Sequence, residues 1–302
     1  MVKKAKYDVV IIGGSFAGLS AAMSLGRSMR DVLIIDAGKP CNKGVKEAHN
    51  IITQDGEAPD GIRKTALKNV LQYETIEQVC DMVDDIKGED GKFVVYLHSG
   101  ERIECRKILF ASGLKDELPE IEGYRECWGK SIVHCPYCHG YETRGQKVGV
   151  LSNGPKAFAF VRLIHHWAPD LRFYTNEAAY LAPEELEKLR DKGIFMCEKK
   201  VVKFEHTDGM LERIVFEDGT SDEINFLFSA PVTVQSTDLP EKLGCMLTKE
   251  NQLQVNEQQE TTVKGVYGAG DNTASFRAVV VSMASGNQAG VLINNQLIQE
   301  EF

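Results

Sequence analysis

Apolar residues fall along this chain in short runs divided by glycine- and aspartate-rich breaks, and the order of runs occurs twice. Tyr7 to Ile12, interrupted by Asp8 alone, is apolar and rich in Val and Ile, the pattern of a strand buried on both faces. Gly13 to Gly18 follows, then a helical pattern through Arg27 and a second apolar strand, Val32 to Ile35, ending in Asp36. Cys41 to Asp60 is polar and irregular and reads as a loop, and Gly61 to Tyr73 reads as a helix. Ile76 to Ile86, Lys92 to His98 and Arg102 to Phe110 are separated by Gly88-Glu89-Asp90-Gly91 and Ser99-Gly100, which predicts a β-meander. Leu114 to Gly123, with Pro119, reads as a linker.

The plan then repeats. Val148 to Leu151 is an apolar strand, Ser152 to Pro155 a turn, Ala157 to Trp167 a helix and Leu171 to Tyr174 a strand. Pro183 to Lys192 is a further helix. Val201 to His206, Leu211 to Phe216 and Glu223 to Phe228 predict a second meander, turning at Asp208-Gly209 and Asp218-Gly219. The chain returns through Thr261 to Asp271, a strand closing on Gly270-Asp271, and ends in a long helix, Ala278 to Gln299. Two copies of one plan predict an α/β fold of two Rossmann-like domains (βαβ plus β-meander), of the three-layer sandwich type.

The first turn carries chemistry. Glycines between a strand and a helix allow a pyrophosphate to approach the backbone and sit on the helix N-terminus, and Asp36 suits a ribose hydroxyl. Ser15 stands where the middle glycine of G-x-G-x-x-G is expected.

Composition narrows the field. A chain of 302 residues, 43% apolar, is long enough for two domains with real cores. A net charge of −9 argues against a nucleic-acid or anionic-membrane surface. Lys3-Lys4 before Val9 to Leu25 imitates a signal peptide, but Asp8, Gly13, Gly14 and Gly18 fit a dinucleotide turn better. No apolar run is long enough to span a bilayer. Eight cysteines in such a chain fit a cytoplasmic setting with mostly free thiols and one redox pair.

That pair is Cys135-Pro136-Tyr137-Cys138, followed by His139. Two cysteines at this spacing can close a disulfide ring and reopen it, exchanging two electrons with a partner thiol or a flavin. The string also matches a c-type haem attachment, half of a zinc site, a glutaredoxin motif or two structural thiols. No second ligand pair completes a zinc site, so no metal is expected, and the flanking dinucleotide features favour redox.

Gly13 to Gly18, Ala111-Ser112-Gly113, Cys135-x-x-Cys138 and Gly268-Ala269-Gly270-Asp271 occur in this order in low-molecular-weight thioredoxin reductases, and the chain resembles that family over essentially its whole length. The resemblance implies a discontinuous FAD-binding domain, 1–116 and 238–302, and an inserted NAD(P)-binding-like domain, 117–237, carrying the cysteine pair. It implies that Gly13, Gly14, Ser15, Phe16, Ala17 and Gly18 hold the FAD pyrophosphate and Asp36 the adenosine ribose. Val83 would meet the adenine through its backbone. Asn50, Arg277 and Ala278 would lie against the isoalloxazine, with Ala111, Gly270 and Asp271 completing the site. Cys138 would face the flavin as the charge-transfer thiolate, Cys135 would meet the substrate, and His139 would move the proton. A homodimer is implied too, with a small dithiol or disulfide, or a thioredoxin-like protein, as partner.

The departures concern NADPH. The second turn reads Ser152-Asn153-Gly154-Pro155-Lys156-Ala157, without its first glycine and with a proline where a backbone donor is wanted. The arginines that clamp the 2′-phosphate are replaced by Thr175-Asn176-Glu177. His139 stands where an aspartate usually follows the second cysteine. These features, with His49-Asn50 and Gln54-Asp55-Gly56, resemble the branch of flavin dithiol oxidases and bacterial relatives that do not use NADPH. The expected function is an FAD-dependent thiol–disulfide oxidoreductase working without NADPH. An NADPH-dependent thioredoxin reductase with an atypical nucleotide site, and a non-enzymatic flavin redox sensor, stay open as alternatives.

Overall fold

The structure, a computed structural model, describes residues 3–302. In chain order the elements begin with β1 (Lys6–Ile12), α1 (Phe16–Arg27), β2 (Val32–Ile35), α2 (Pro59–Val70), β3 (Ile76–Val79), β4 (Val83–Lys87), β5 (Phe93–Leu97) and β6 (Arg102–Phe110). There follow β7 (Leu114–Glu117), α3 (Tyr124–Cys127), β8 (Ile132–Val133), α4 (Pro136–His139), β9 (Val148–Leu151), α5 (Ala157–Ile164), β10 (Arg172–Tyr174), α6 (Pro183–Asp191) and β11 (Phe195–Cys197). The last are β12 (Val201–Thr207), β13 (Met210–Phe216), β14 (Ser221–Glu223), β15 (Phe226–Ser229), β16 (Val232–Gln235), α7 (Leu239–Lys242), β17 (Val266–Gly268) and α8 (Val279–Glu301).

Contacts divide the chain into two compact units. The first holds the N-terminal segment through Lys43, Asp60–Asp116 and Thr233–Phe302; the second holds Gly44–Pro59 and Glu117–Val232. The first unit is built on a seven-stranded sheet ordered β3-β2-β1-β6-β5-β4, with β17 also on β6. Strand β6 is long enough to serve two neighbours on one side. Its first half pairs antiparallel with β5, while Ile108 to Phe110 pair parallel with β17. The apolar run 9–12 of β1 is buried because both its neighbours, β2 and β6, are parallel and both sheet faces are covered.

Helix α1 is buried along most of its length between this sheet and α8. Small residues permit that. A Cβ on Gly286 would stand 2.1 Å from the carbonyl oxygen of Ala17, and one on Gly290 2.6 Å from that of Ala21. Ser20 Oγ donates to the Met283 carbonyl and Asn287 Nδ2 to Ser24 Oγ, fixing the register of the pair.

The second unit has a five-stranded parallel sheet, β11-β10-β9-β15-β8, and a three-stranded antiparallel sheet, β12-β13-β14. The turn between β12 and β13 is at Asp208-Gly209, where both residues have positive φ. Strands β7 and β16 form a two-stranded ribbon.

Three sequence expectations are corrected. Ile76 to Ile86 is two strands on opposite edges of the sheet: β3 pairs parallel with β2, and only β4 joins the meander. The break falls at Asp81, whose side chain takes the backbone N–H groups of Met82 and Ser99 and so competes with ladder pairing. Likewise Glu223 to Phe228 divides. Its first residue ends β14, and β15 leaves the meander to lie in the parallel sheet, because Phe226 to Ser229 are all buried while Ser221 to Glu223 are not. Leu114 to Gly123 is partly strand rather than linker, and β11 had no clear signal.

Candidate functional site

In the first unit the turn after β1 closes on its neighbours so tightly that only glycine fits. Gly13 has φ +110°, and a Cβ there would lie 2.3 Å from the Ala111 carbonyl oxygen. A Cβ on Gly18 would lie 1.9 Å from the Gly13 carbonyl oxygen, and one on Gly14 2.8 Å from the Cβ of Asp36. Ser15 is the N-cap of α1 without a side-chain capping bond, so it leaves the first-turn backbone donors to another acceptor, and Phe16 and Ala17 are buried. Asp36 follows β2; its Oδ1 accepts from Gly38 N and its Oδ2 stands 3.6 Å from Arg63 Nη1. Gly270, at φ +89°, packs against Ala17, and Ala111 donates its N–H to the Ile12 carbonyl. Gly13 to Gly18, Asp36, Ala111, Gly270 and Asp271 are thus brought together at one end of the sheet.

Asp271 accepts from Ser282 Oγ at 2.9 Å and from Arg277 Nε at 3.3 Å. Arg277 turns its other nitrogens to Asp116, with Nη1 2.7 Å from Oδ1. Burial works against the guanidinium charge, but Asp116 and Asp271 outweigh it and keep Arg277 charged. Ala278 is the extended N-cap of α8. Cys41 keeps an exposed face beside this cluster, in a recess dense enough that desolvation, then the Asp271 carboxylate, pushes its thiol up. Val83 is the half-buried first residue of β4, across from Leu97.

These residues fit FAD. The cradle at Gly13, Gly14 and Gly18 has no room for a Cβ, as a backbone-bound pyrophosphate requires. Two buried polar atoms beside it, Arg63 Nε and Ser112 Oγ, have no hydrogen-bond partner among the described residues, which suits a polar ligand. Sequence reading named neither residue as a site residue. Ser112 sat inside a quoted motif, while nothing in the α2 pattern marks Arg63.

In the second unit Cys135 and Cys138 form a disulfide, with Cα atoms 5.3 Å apart. Cys135 is the N-cap of the single turn α4 and Pro136 its first residue, which holds φ ready for the turn. Gly140 ends it under Trp167, whose ring a Cβ would strike at 2.8 Å, and Tyr137 meets the same ring edge-on at 5.3 Å. His139 is half-buried, and desolvation holds its imidazole below the ordinary value; Glu142 pulls it up and His49 pushes it down. Asn50, at φ +63°, is in the loop that groups with this unit, its N–H bound by Asp55.

The second Rossmann-like turn is occupied by the protein itself. Asn153 Oδ1 accepts the N–H groups of both Gly154 and Tyr180, at 2.9 and 2.8 Å, and its Nδ2 donates to the Ala178 carbonyl at 3.0 Å. Thr175 Oγ1 donates to the Glu177 carbonyl, and Ala179 N donates to Glu198. Among the described residues no group of His, Cys, Asp and Glu could hold a metal, and no helix is long and apolar enough to cross a membrane.

A dinucleotide cradle in one unit and a Cys-x-x-Cys disulfide in the other define a class, and comparison agrees: the profile of the pyridine nucleotide-disulphide oxidoreductases matches residues 7–286, so the chain belongs to that family. Within it the chain is a thioredoxin reductase-like, FAD-dependent disulfide oxidoreductase. It is 34% identical over 307 residues to thioredoxin reductase aclD of Aspergillus oryzae, covering 98% of each chain. Among solved structures it is similar to an oxidoreductase from Agrobacterium tumefaciens (33% identity, TM-score 0.91, 97% of this chain and 99% of that one). It is also similar to HlmI (31% identity, TM-score 0.93, all of this chain and 95% of that one).

Proposed function

We propose that this protein passes electrons between a dithiol or disulfide substrate, the Cys135–Cys138 pair and FAD, without NADPH as donor. The observation that carries the reading is Asn153: its side chain bonds the turn after β9 to the loop after β10, taking the Gly154 N–H in the turn where a pyrophosphate would bind, together with the N–H of Tyr180. The first unit is the FAD-binding part, held by Gly13 to Gly18, Asp36, Val83, Ala111, Gly270, Asp271, Arg277 and Ala278. FAD, when bound, supplies a two-electron carrier. Cys135 meets the substrate sulfur, Cys138 is the thiol that communicates with the flavin, and His139 accepts the proton.

The substrate is a small dithiol or disulfide, or a thioredoxin-like protein. The six remaining cysteines are free, four of them buried, which supports a reducing, cytoplasmic setting. The family resemblance supports a homodimer. The names of the relatives favour a second reading, an NADPH-dependent thioredoxin reductase with an atypical nucleotide site.

Anaerobic mixing of the purified yellow protein with NADPH, NADH and dithiothreitol in turn tests the choice. Bleaching by the dithiol alone is expected; bleaching by NADPH alone would return the protein to the ordinary reductases.

A further inference from the structure

We propose that His49 is a positioning residue for thiol–disulfide exchange, drawing Glu142 away from His139 so that His139 is free to take a proton. The inference rests on the reading that the Cys135–Cys138 pair exchanges with a dithiol.

The loop 44–59 is folded to present this imidazole. Gly56 N donates to the Ala48 carbonyl and Ala48 N to the Glu57 carbonyl, closing a tight bend that puts Asn50 and Thr53 at positive φ. Asp55, itself at the surface, braces it: Oδ1 accepts the Asn50 N–H at 2.6 Å, and Oδ2 stands 3.5 Å from His49 Nδ1. With that nitrogen engaged, Nε2 points at two carboxylates, Glu47 Oε2 at 3.6 Å and Glu142 Oε1 at 3.8 Å. The imidazole is the sheltered member, its side chain 20% exposed against 38% for Glu142 and 65% for Glu47. A mere surface ion pair would not leave the histidine enclosed and the acids at the rim.

Glu142 lies one turn beyond His139, so the two histidines compete for one carboxylate. Among the described residues the charged groups acting on His139 are Glu142 and His49, and the ring of Phe226 on β15 stands 6.5 Å from its imidazole. Glu142 alone would load His139 with a proton before substrate arrives. His49 offsets that, and burial of His139 works in the same direction.

The step balances as follows. One substrate thiol gives its proton to His139, and the thiolate attacks Cys135 Sγ. The Cys135–Cys138 bond breaks and Cys138 leaves as a thiolate. The second substrate thiol loses its proton to solvent and attacks the mixed disulfide; Cys135 leaves and takes the proton held by His139. Two electrons pass from substrate sulfurs to the pair, giving a substrate disulfide, a Cys135 thiol, a Cys138 thiolate and one released proton.

The test uses the FAD-loaded protein and dithiothreitol, without oxygen, from about pH 5 to about pH 8, where histidines titrate. Flavin bleaching and alkylation-trapped Cys135 and Cys138, read by mass, give two independent rates. His49→Asn should move the acid limb of both rates to higher pH, slowing exchange about threefold near its midpoint. Glu142→Gln should move the limb to lower pH, and Asp55→Asn should follow His49→Asn more weakly. His139→Gln should abolish the limb in every background. Glu142 lies at the rim, so its variant carries the test even where a loop variant fails to fold. Limbs that stay put, or that move in one direction for His49→Asn and Glu142→Gln, overturn the inference while exchange itself stands. A wild-type protein whose pair dithiothreitol does not open overturns the functional reading and this inference with it.

Discussion

Arg277 and Asp116 form a buried ion pair, Nη1 to Oδ1 at 2.7 Å and Nη2 to Oδ2 at 3.5 Å, their side chains 15% and 8% exposed. The pair ties the segment before α8 to β7. Arg277→Met leaves two buried carboxylates, Asp116 and Asp271, without their shared cation. The expected cost is about 3 kcal/mol, the usual penalty for breaking a buried pair from one side. Asp116→Asn keeps an acceptor and should cost less. Thermal unfolding of the two variants beside the wild type checks the order; equal midpoints for all three would refute it.

At the opposite end of the first unit lies Lys107, with no exposed surface, its ammonium held by Asp90 Oδ1 at 2.5 Å and by Glu300. Lys107→Met should lower the unfolding midpoint sharply, because Asp90 and Glu300 then lose the buried cation between them and keep only their outer partners, Lys264 and Arg106. Adding Asp90→Asn and Glu300→Gln should recover most of the loss. A triple variant no more stable than the single one would show that packing, not charge, dominates there.

The plan of the fold was legible because its signals are local. The β1 and β2 runs, the glycine turn and the two meander turns at Asp208-Gly209 and Asp218-Gly219 are set by neighbours in sequence. What sequence hid depends on distant partners. Ile76 to Ile86 mixes apolar and acidic residues with no glycine or proline to mark a break, and Asp81 divides it by taking N–H groups from Met82 and from Ser99, which lies in another turn. The missing first glycine at Ser152 was visible, whereas the use of Asn153 as a bridge to Tyr180 was not, since it needs the loop after β10 to fold back. Arg63 is similar: it reaches Asp36 only because α2 packs beside β2.

Acid should destabilise the first unit through α8. Side-chain bonds from Arg30 and Arg106 hold the Glu301 carboxyl down to about 2, against an ordinary 4.5. For Glu300, burial pushes upward, but Lys107, Gln296 and Arg106 prevail and hold it below the ordinary value. A carboxyl depressed in the folded state binds its proton more readily when unfolded. Its stabilisation is therefore complete above about 4.5 and is lost as pH falls toward about 2. Unfolding midpoints measured across that window should fall, and Glu300→Gln with Glu301→Gln should flatten the slope. An unchanged slope would assign the acid sensitivity elsewhere.

Gly14 offers a test of the FAD cradle. A Cβ there would stand 2.8 Å from the Cβ and 2.9 Å from the Oδ2 of Asp36. Gly14→Ala should displace Asp36 and reduce the flavin-to-protein absorbance ratio of the purified protein, with the unfolding midpoint of flavin-stripped protein close to that of stripped wild type. Full flavin content in the variant would mean that Asp36 does not hold the ribose.

The last prediction concerns the donor. In the second unit Asn153 Oδ1 already takes the N–H groups of Gly154 and Tyr180, Pro155 has none to give, and Thr175 Oγ1 bonds the Glu177 carbonyl where the family clamp would be cationic. A hydrogen bond to a charged group contributes about 1.5 to 3 kcal/mol, so losing two phosphate contacts weakens binding by roughly two orders of magnitude or more. NADPH should therefore reduce the flavin slowly and without saturation at micromolar concentrations. NADH, which has no 2′-phosphate, should do only slightly better, because it needs the same turn. Asn153→Gly frees two N–H groups but restores neither the cationic clamp nor the donor that Pro155 lacks. It should raise the NADH rate more than the NADPH rate. Rapid, saturable reduction of the wild-type flavin by micromolar NADPH would show that the nucleotide binds despite Asn153, and the protein would then be an ordinary reductase with an unusual turn.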